Sequence, residues 1–204
     1  MGHFYTNATL MGPAGLAVAG AVCQMRRVAA ITRNCGNFTV IFDRESEQQD
    51  GRAYPFMEQL TATLNCLGLY VTNHNDDVLC YRLYKSGKVV DEYDSCPNYF
   101  EGPPVPPEGG NAQVLCEAFG VPHARQRVWD ILHYDRFAEG DLVGRRRIFE
   151  ISRHFELNRH RALVQALELP PIAVGLGYTY LARDGLPDGM AEDDIISLDG
   201  ETNT

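Results

Sequence analysis

Between His3 and Leu10 the residues alternate, with Phe4, Thr6, Ala8 and Leu10 on one side and His3, Tyr5, Asn7 and Thr9 on the other. A period of two belongs to a strand with two unlike faces. Gly12-Pro13 ends it, and proline suits the first turn of a helix. Residues 13–26 are rich in alanine and carry Leu16, Val18, Val22 and Met25, which predicts a helix. Val28 to Thr32 reads as a short strand and Asn34-Cys35-Gly36-Asn37 as a turn. From Phe38 to Phe42 a further strand places Phe38, Val40 and Phe42 on one face and Thr39 and Ile41 on the other. Asp50 is placed to cap a helix over residues 52–66, where Phe56, Leu60 and Leu64 recur at helical spacing. Leu67 to His74 is a strand and residues 73–77 a turn. Val78 to Tyr84 and Lys88 to Asp94 form a hairpin closed through Ser86-Gly87.

The order β-α-β-β-α-β followed by a hairpin predicts an α+β fold over residues 1–100, a ferredoxin-like antiparallel sheet extended by a β-hairpin. Phe4, Phe38, Val40, Phe42, Leu60 and Val71 are expected between the sheet and its two helices. In the hairpin, Arg82 is expected to face Asp91, and Leu83 to face Val90, as structural cross-strand pairs. Residues 101–110, Glu-Gly-Pro-Pro-Val-Pro-Pro-Glu-Gly-Gly, read as a semi-rigid linker. Residues 111–183 read as a mainly helical extension, with helices near 111–119, 123–134 and 145–168, the last breaking at Asn158, and a strand from Ile172 to Leu181. From 184 to 204 the chain is polar and acidic, and is expected to end in disorder. A second sheet face carrying Tyr5, Ile41 and Tyr70 needs a cover. The C-terminal helices offer Ile148, Ile151, Phe155, Leu163, Val164 and Leu167 for it, and a homodimer is the other cover. The linker is long enough for the helices to reach round, so they are the expected one.

Charge narrows the function classes. The net charge is −9 over 204 residues, and after residue 170 there are seven acids and one base. Binding to a phosphate backbone needs clustered cations, so nucleic acid is not an expected partner. Cys35 to Phe42 has the outline of the aromatic octapeptide of an RNA-recognition motif, but Asn37 and Thr39 stand at its base-stacking positions. No two of the six cysteines are closer than twelve residues, so no C-x-x-C pair exists, and reduced thiols in a cytoplasmic protein are the expectation. Arg26 and Arg27 follow the uncharged stretch Leu10 to Met25 instead of preceding it, unlike a signal peptide. No run is long and apolar enough for a bilayer, so no membrane is expected.

In the expected topology the first strand starts at the rim where the third and fourth end. That gathers His3, Asp43, His74, Asp76, Asp77 and Asp94 at one edge, with Cys96 nearby. Imidazole with carboxylates suits a divalent metal or general acid–base work, although Asn, Asp and His are also ordinary turn formers. Glu150 and Glu156 sit among Arg145, Arg146, Arg147, Arg153, Arg159 and Arg161, which reads as pairing on a helix surface, with a phosphate or acidic-partner surface as the alternative. His154 and His160 are six apart and do not share a helical face. There is no G-x-S-x-G and no phosphate loop, and no cofactor is expected. The leading expectation is a non-enzymatic binding or protein-interaction protein with a protein or small-molecule partner. The alternative is a metal-assisted hydrolase using His74, Asp76, Asp77, Asp94 and Asp43.

Asn73-His-Asn-Asp-Asp77, Leu79-Cys-Tyr-Arg-Leu-Tyr84 and Asp91-Glu-Tyr-Asp-Ser-Cys-Pro-Asn-Tyr-Phe100 together resemble a group of uncharacterised bacterial proteins. The likeness extends to His3–Pro13, Phe38–Asp50 and the stretch from Arg159-His160 through Gly177-Tyr178. It implies a bacterial, intracellular origin and brings no activity with it. Cys80 stands where such proteins often carry an aromatic residue.

Overall fold

The computed structural model describes residues 2–135 and 155–200. Its elements run β1 (Tyr5–Met11), α1 (Gly15–Gln24), β2 (Val28–Thr32), β3 (Phe38–Asp43), α2 (Ala53–Thr63), β4 (Leu67–His74), β5 (Val78–Lys85) and β6 (Lys88–Asp94). There follow β7 (Glu108–Gly109), α3 (Ala112–Phe119), α4 (Arg125–Leu132), α5 (Phe155–Ala166), α6 (Tyr178–Asp184) and β8 (Ile195–Asp199). The eight strands form one sheet in the order β7-β6-β5-β4-β1-β3-β2-β8, and every neighbouring pair is antiparallel. The fold is α+β, and its four central strands lie in the order 4-1-3-2.

The β4–β5 and β5–β6 hairpins turn through two residues with positive φ, Asn75 (56°) and Asp76 (61°), then Ser86 (49°) and Gly87 (83°). Two such residues match the right-handed twist of the flanking strands. At Gly87 a Cβ would lie 2.8 Å from that of Ala62, so glycine also lets α2 approach the turn. The Asn111 side chain caps α3 by accepting from the Gln113 and Val114 amides, both at 3.1 Å.

Two apolar cores lie on opposite faces of the sheet. Ala8, Leu10, Ile31, Ile41, Tyr70 and Tyr84 pack under α1 and α2 with Val18, Phe56, Met57 and Leu60. Val40, Phe42, Leu69, Val71, Leu79, Tyr81 and Leu83 pack under α3, α4 and α5 with Leu115, Val128, Leu163, Val164 and Leu167. The faces are thus exchanged relative to expectation: Val40, Phe42 and Val71 meet the C-terminal helices, while Ile41 and Tyr70 meet α1 and α2 with Leu60. When both faces of a strand are buried, alternation separates two sets of residues without saying which helices each will meet. Tyr5 does not share a face with Ile41 and Tyr70. Ala8 pairs with both of those residues and Tyr5 pairs with Asn73, an odd step along β1. Phe4, at 41% exposure, belongs to neither core. Ile148 and Ile151 lie outside the described residues.

Other expectations change too. An irregularity between Leu83 and Tyr84 shifts the hairpin register, so Arg82 pairs with Glu92 and Leu83 with Asp91. Residues 172–181 are no strand: Pro171–Ala173 is a 3-10 turn and α6 begins at Tyr178, with the Thr179 amide donating to both oxygens of the buried Glu47 carboxylate at 3.0 Å. The α5 helix runs through Asn158 without a break. Nor is the acidic tail structureless over 195–199, where β8 pairs with β2. Without β8 the backbone groups along one side of β2 would stand open, and Ile196 and Leu198 add an apolar contact to the α1 side.

Candidate functional site

On this face α1 packs against β2 and β8, and α2 against β4, β5 and, near Gly87, the β5–β6 turn. The other ends of β4, β5 and β6 extend past Tyr54 in the first turn of α2. Alternation decides what the extension presents on that side. One row is Tyr70, Arg82 and Glu92, the next is Thr72, Cys80 and Asp94, and the last is His74 and Val78. The same face is apolar under the helices and polar where they end.

Tyr54, in the first turn of α2, and the preceding Gln48, Gln49 and Gly51 form one wall. Pro97, Tyr99 and Phe100, after β6, form the other. Two pockets of about 330 and 280 Å³ share Tyr54, Tyr70, Thr72, Cys80, Asp94 and Pro97, which makes them one groove. At one end Arg82 lies 3.7 Å over the Tyr54 ring and 3.4 Å from the Glu92 carboxylate, so its charge is already engaged. At the other end His74 lies edge-on to Phe4, Phe100 and Tyr99, with ring centroids 5.0, 5.1 and 5.9 Å away.

The hydrogen bonds of His74 define its tautomer. Gln49 Nε2 donates to the Asn73 carbonyl at 3.1 Å, which orients the amide. Its Oε1 then accepts from His74 Nδ1 at 2.9 Å. A neutral imidazole so held carries its proton on Nδ1 and keeps Nε2 as an acceptor. Asp94 accepts the Cys96 amide through Oδ1 at 2.8 Å. Burial, and then the neighbouring Asp94 carboxylate, push the Cys80 thiol well above its ordinary pKa, so it stays protonated and is a poor nucleophile. Burial likewise raises the Tyr70 hydroxyl.

The structure does not gather the expected rim into one site. Only His74 and Asp94, with Cys96, line the groove. Asp43 is buried and engaged by Arg27 through both oxygens, and it also accepts from the Ser46 amide and hydroxyl at 2.8 and 2.6 Å. Asp76 is buried in the β4–β5 turn and binds the His3 amide and ring at 2.9 and 3.0 Å, clamping the start of β1. Asp77 accepts from the Tyr99 hydroxyl at 3.0 Å. Among the described residues no group of three or more His, Cys, Asp or Glu side chains could hold a metal ion. Turn geometry and local ion pairs claim these carboxylates before they can converge.

Arg159 and Glu156 are not on a helix surface. Both are fully buried on the other side of the sheet and paired at 2.9 Å. Arg159 also donates to the Tyr93 hydroxyl and to the Ile131, Leu132 and Tyr134 carbonyls at 2.7 to 3.1 Å. It thereby satisfies carbonyls at the end of α4, where a helix has no partners of its own.

Tyr54, Gln49 and Phe100 were not singled out by the sequence. The available signal was the polar stripe Tyr70-Thr72-His74, Cys80-Arg82 and Glu92-Asp94, on a face that is apolar elsewhere. The chain matches no family model, no curated protein and no solved structure.

Proposed function

We propose that this chain is a binding protein of ferredoxin-like build whose ligand lies in the groove beside α2. The strand order 4-1-3-2, with α1 and α2 as the crossovers, supports that description of the core. The carrying observation is the polar face of β4–β5–β6 that the described residues leave open beyond the start of α2, walled on both sides into one continuous groove. Such concave sites with a few convergent polar groups are where ligands bind. The metal-assisted hydrolase at the rim has less support, because Asp43, Asp76 and Asp77 are engaged by Arg27, His3 and Tyr99. A protein of the bacterial cytoplasm remains the proposed setting, with a small molecule favoured over a protein partner by the size of the groove.

Backbone NMR of the full chain during a fragment screen tests this. Binders are expected to shift the amides of Thr72, Cys80 and Asp94, and Thr72→Tyr, which fills the groove, should abolish those shifts. Binders that consistently move other surfaces would refute the assignment. Adding magnesium, manganese or zinc to chelator-treated protein checks the alternative: a rise of several degrees in Tm, lost in Asp77→Asn, would restore the hydrolase reading.

A further inference from the structure

The geometry points to an organic ammonium, an amine cation bearing at least one N–H on a hydrocarbon or aromatic body, as the ligand of this groove; the inference rests on the groove reading above. Charge is the first ground. The lining holds three carboxylates, Glu92, Asp94 and Glu108, against one guanidinium, Arg82. Arg82 already lies against Glu92 and the Tyr54 ring, so its charge is partly offset, and an anionic ligand would meet a lining of net negative charge. A cation meets no such repulsion.

The second ground is the ring cluster, which is independent of charge. Phe100 is 76% exposed and Phe4 41%, and with His74 and Tyr99 they form an aromatic corner at the Asp94 end of the groove. Exposed apolar rings grouped at a pocket mouth mark a binding surface, and ring faces attract cations. Third, acceptors converge there: the Asp94 carboxylate, the Thr72 hydroxyl, which can also donate, and, through its Gln49-fixed tautomer, His74 Nε2. Acceptors beside rings suit an N–H-bearing ammonium better than a quaternary one, which has no hydrogen to give. The ammonium head belongs at the His74–Asp94 end, and the body runs along Tyr54 and Tyr70, whose rings meet edge to face at 6.2 Å.

Benzylammonium, benzyl alcohol and benzoate are of similar size and differ in charge. Titrating each into the full chain, with the Thr72, Cys80 and Asp94 amides as the readout, is expected to give saturable shifts with benzylammonium alone. Asp94→Asn keeps the acceptor for the Cys96 amide and removes the charge; it should weaken benzylammonium about tenfold or more, roughly the worth of one charge-assisted contact. Phe100→Ala, at an exposed site that does not threaten folding, should weaken it about threefold or more, as loss of a cation–π contact would. A lysine-containing dipeptide that moves the same amides would place the cation on a peptide side chain; one that does not, beside a benzylammonium that does, would place it on a small amine. Equal or tighter binding of benzyl alcohol or benzoate at these amides would overturn the ammonium inference and leave the groove standing. If none of the three moves the groove amides, the ammonium inference falls, and the groove reading is decided by the fragment screen alone. Unchanged benzylammonium affinity in both variants would also overturn it.

Discussion

His160 is fully buried on α5, stacked on Tyr5 with its Nδ1 2.6 Å from the Tyr5 hydroxyl. Burial, and secondarily Arg161, push its pKa down to about 3. An unfolded histidine titrates near 6.5, so between about 3 and 6.5 the unfolded chain binds a proton that the folded chain does not. The contribution of His160 is therefore fully present above pH 6.5 and is lost as pH falls toward 3. Between pH 7 and pH 5 the loss from this one group is about 2 kcal/mol. Urea unfolding at the two pH values should show that drop, and His160→Asn, which offers an amide near the Nδ1 position and does not titrate, should remove about that much of it. An unchanged pH slope in the variant would mean that His160 is not held neutral by the fold.

Among the elements, β8 illustrates how a short strand can be needed for its edge and not for its core. Its five residues pair along the whole of β2, from Val28–Asp199 to Thr32–Ile195, and Arg33 adds contacts to the Asp193 and Asp194 carbonyls. A chain ending at Met190 keeps the central strands and both cores but leaves the backbone groups of β2 open. It should fold and self-associate, because an open edge is a template for another strand. Size-exclusion chromatography across a concentration series reads this directly. A monomer at all concentrations, with an unshifted Tm, would show that β8 does not protect the edge.

For the molecule as a whole, the sheet is covered unequally. Helices α3, α4 and α5 bury the face carrying Phe42, Val71, Leu79, Tyr81 and Leu83, and β7 anchors the start of this cover by pairing with β6. Among the described residues, α1 and α2 cover the opposite face, and the groove opens beyond the start of α2. A fragment ending at Gly110 would expose the apolar face and keep the polar one. It should aggregate, since exposed apolar patches of that kind are uncommon on monomers. Light scattering and far-UV circular dichroism would report a stable, monomeric sheet if the C-terminal helices were instead an independent unit.

The local pattern of the chain was sufficient for the elements from β1 to β6, because strand and helix periods, Gly-Pro and Asn-Asp turns, and the Ser86-Gly87 hairpin are decided over a few residues. It also showed that a second apolar face had to be covered, and His74 and Asp94 were legible as site candidates. The pairing of faces with helices came only with tertiary structure, since Val40–Phe42 and Ile41 are all apolar and either set could have met α1 and α2. Charge hid β8, where three apolar residues in an acidic tail found an open edge. It hid Arg159 as well, whose guanidinium is buried because the distant carbonyls at the end of α4 require donors. The remaining carboxylates, Asp43, Asp76 and Asp77, had composition suited to a site but were claimed by Arg27, His3 and Tyr99. Which polar residues stayed available was decided by where α2 begins over β4, β5 and β6, a placement that no stretch of sequence carries by itself.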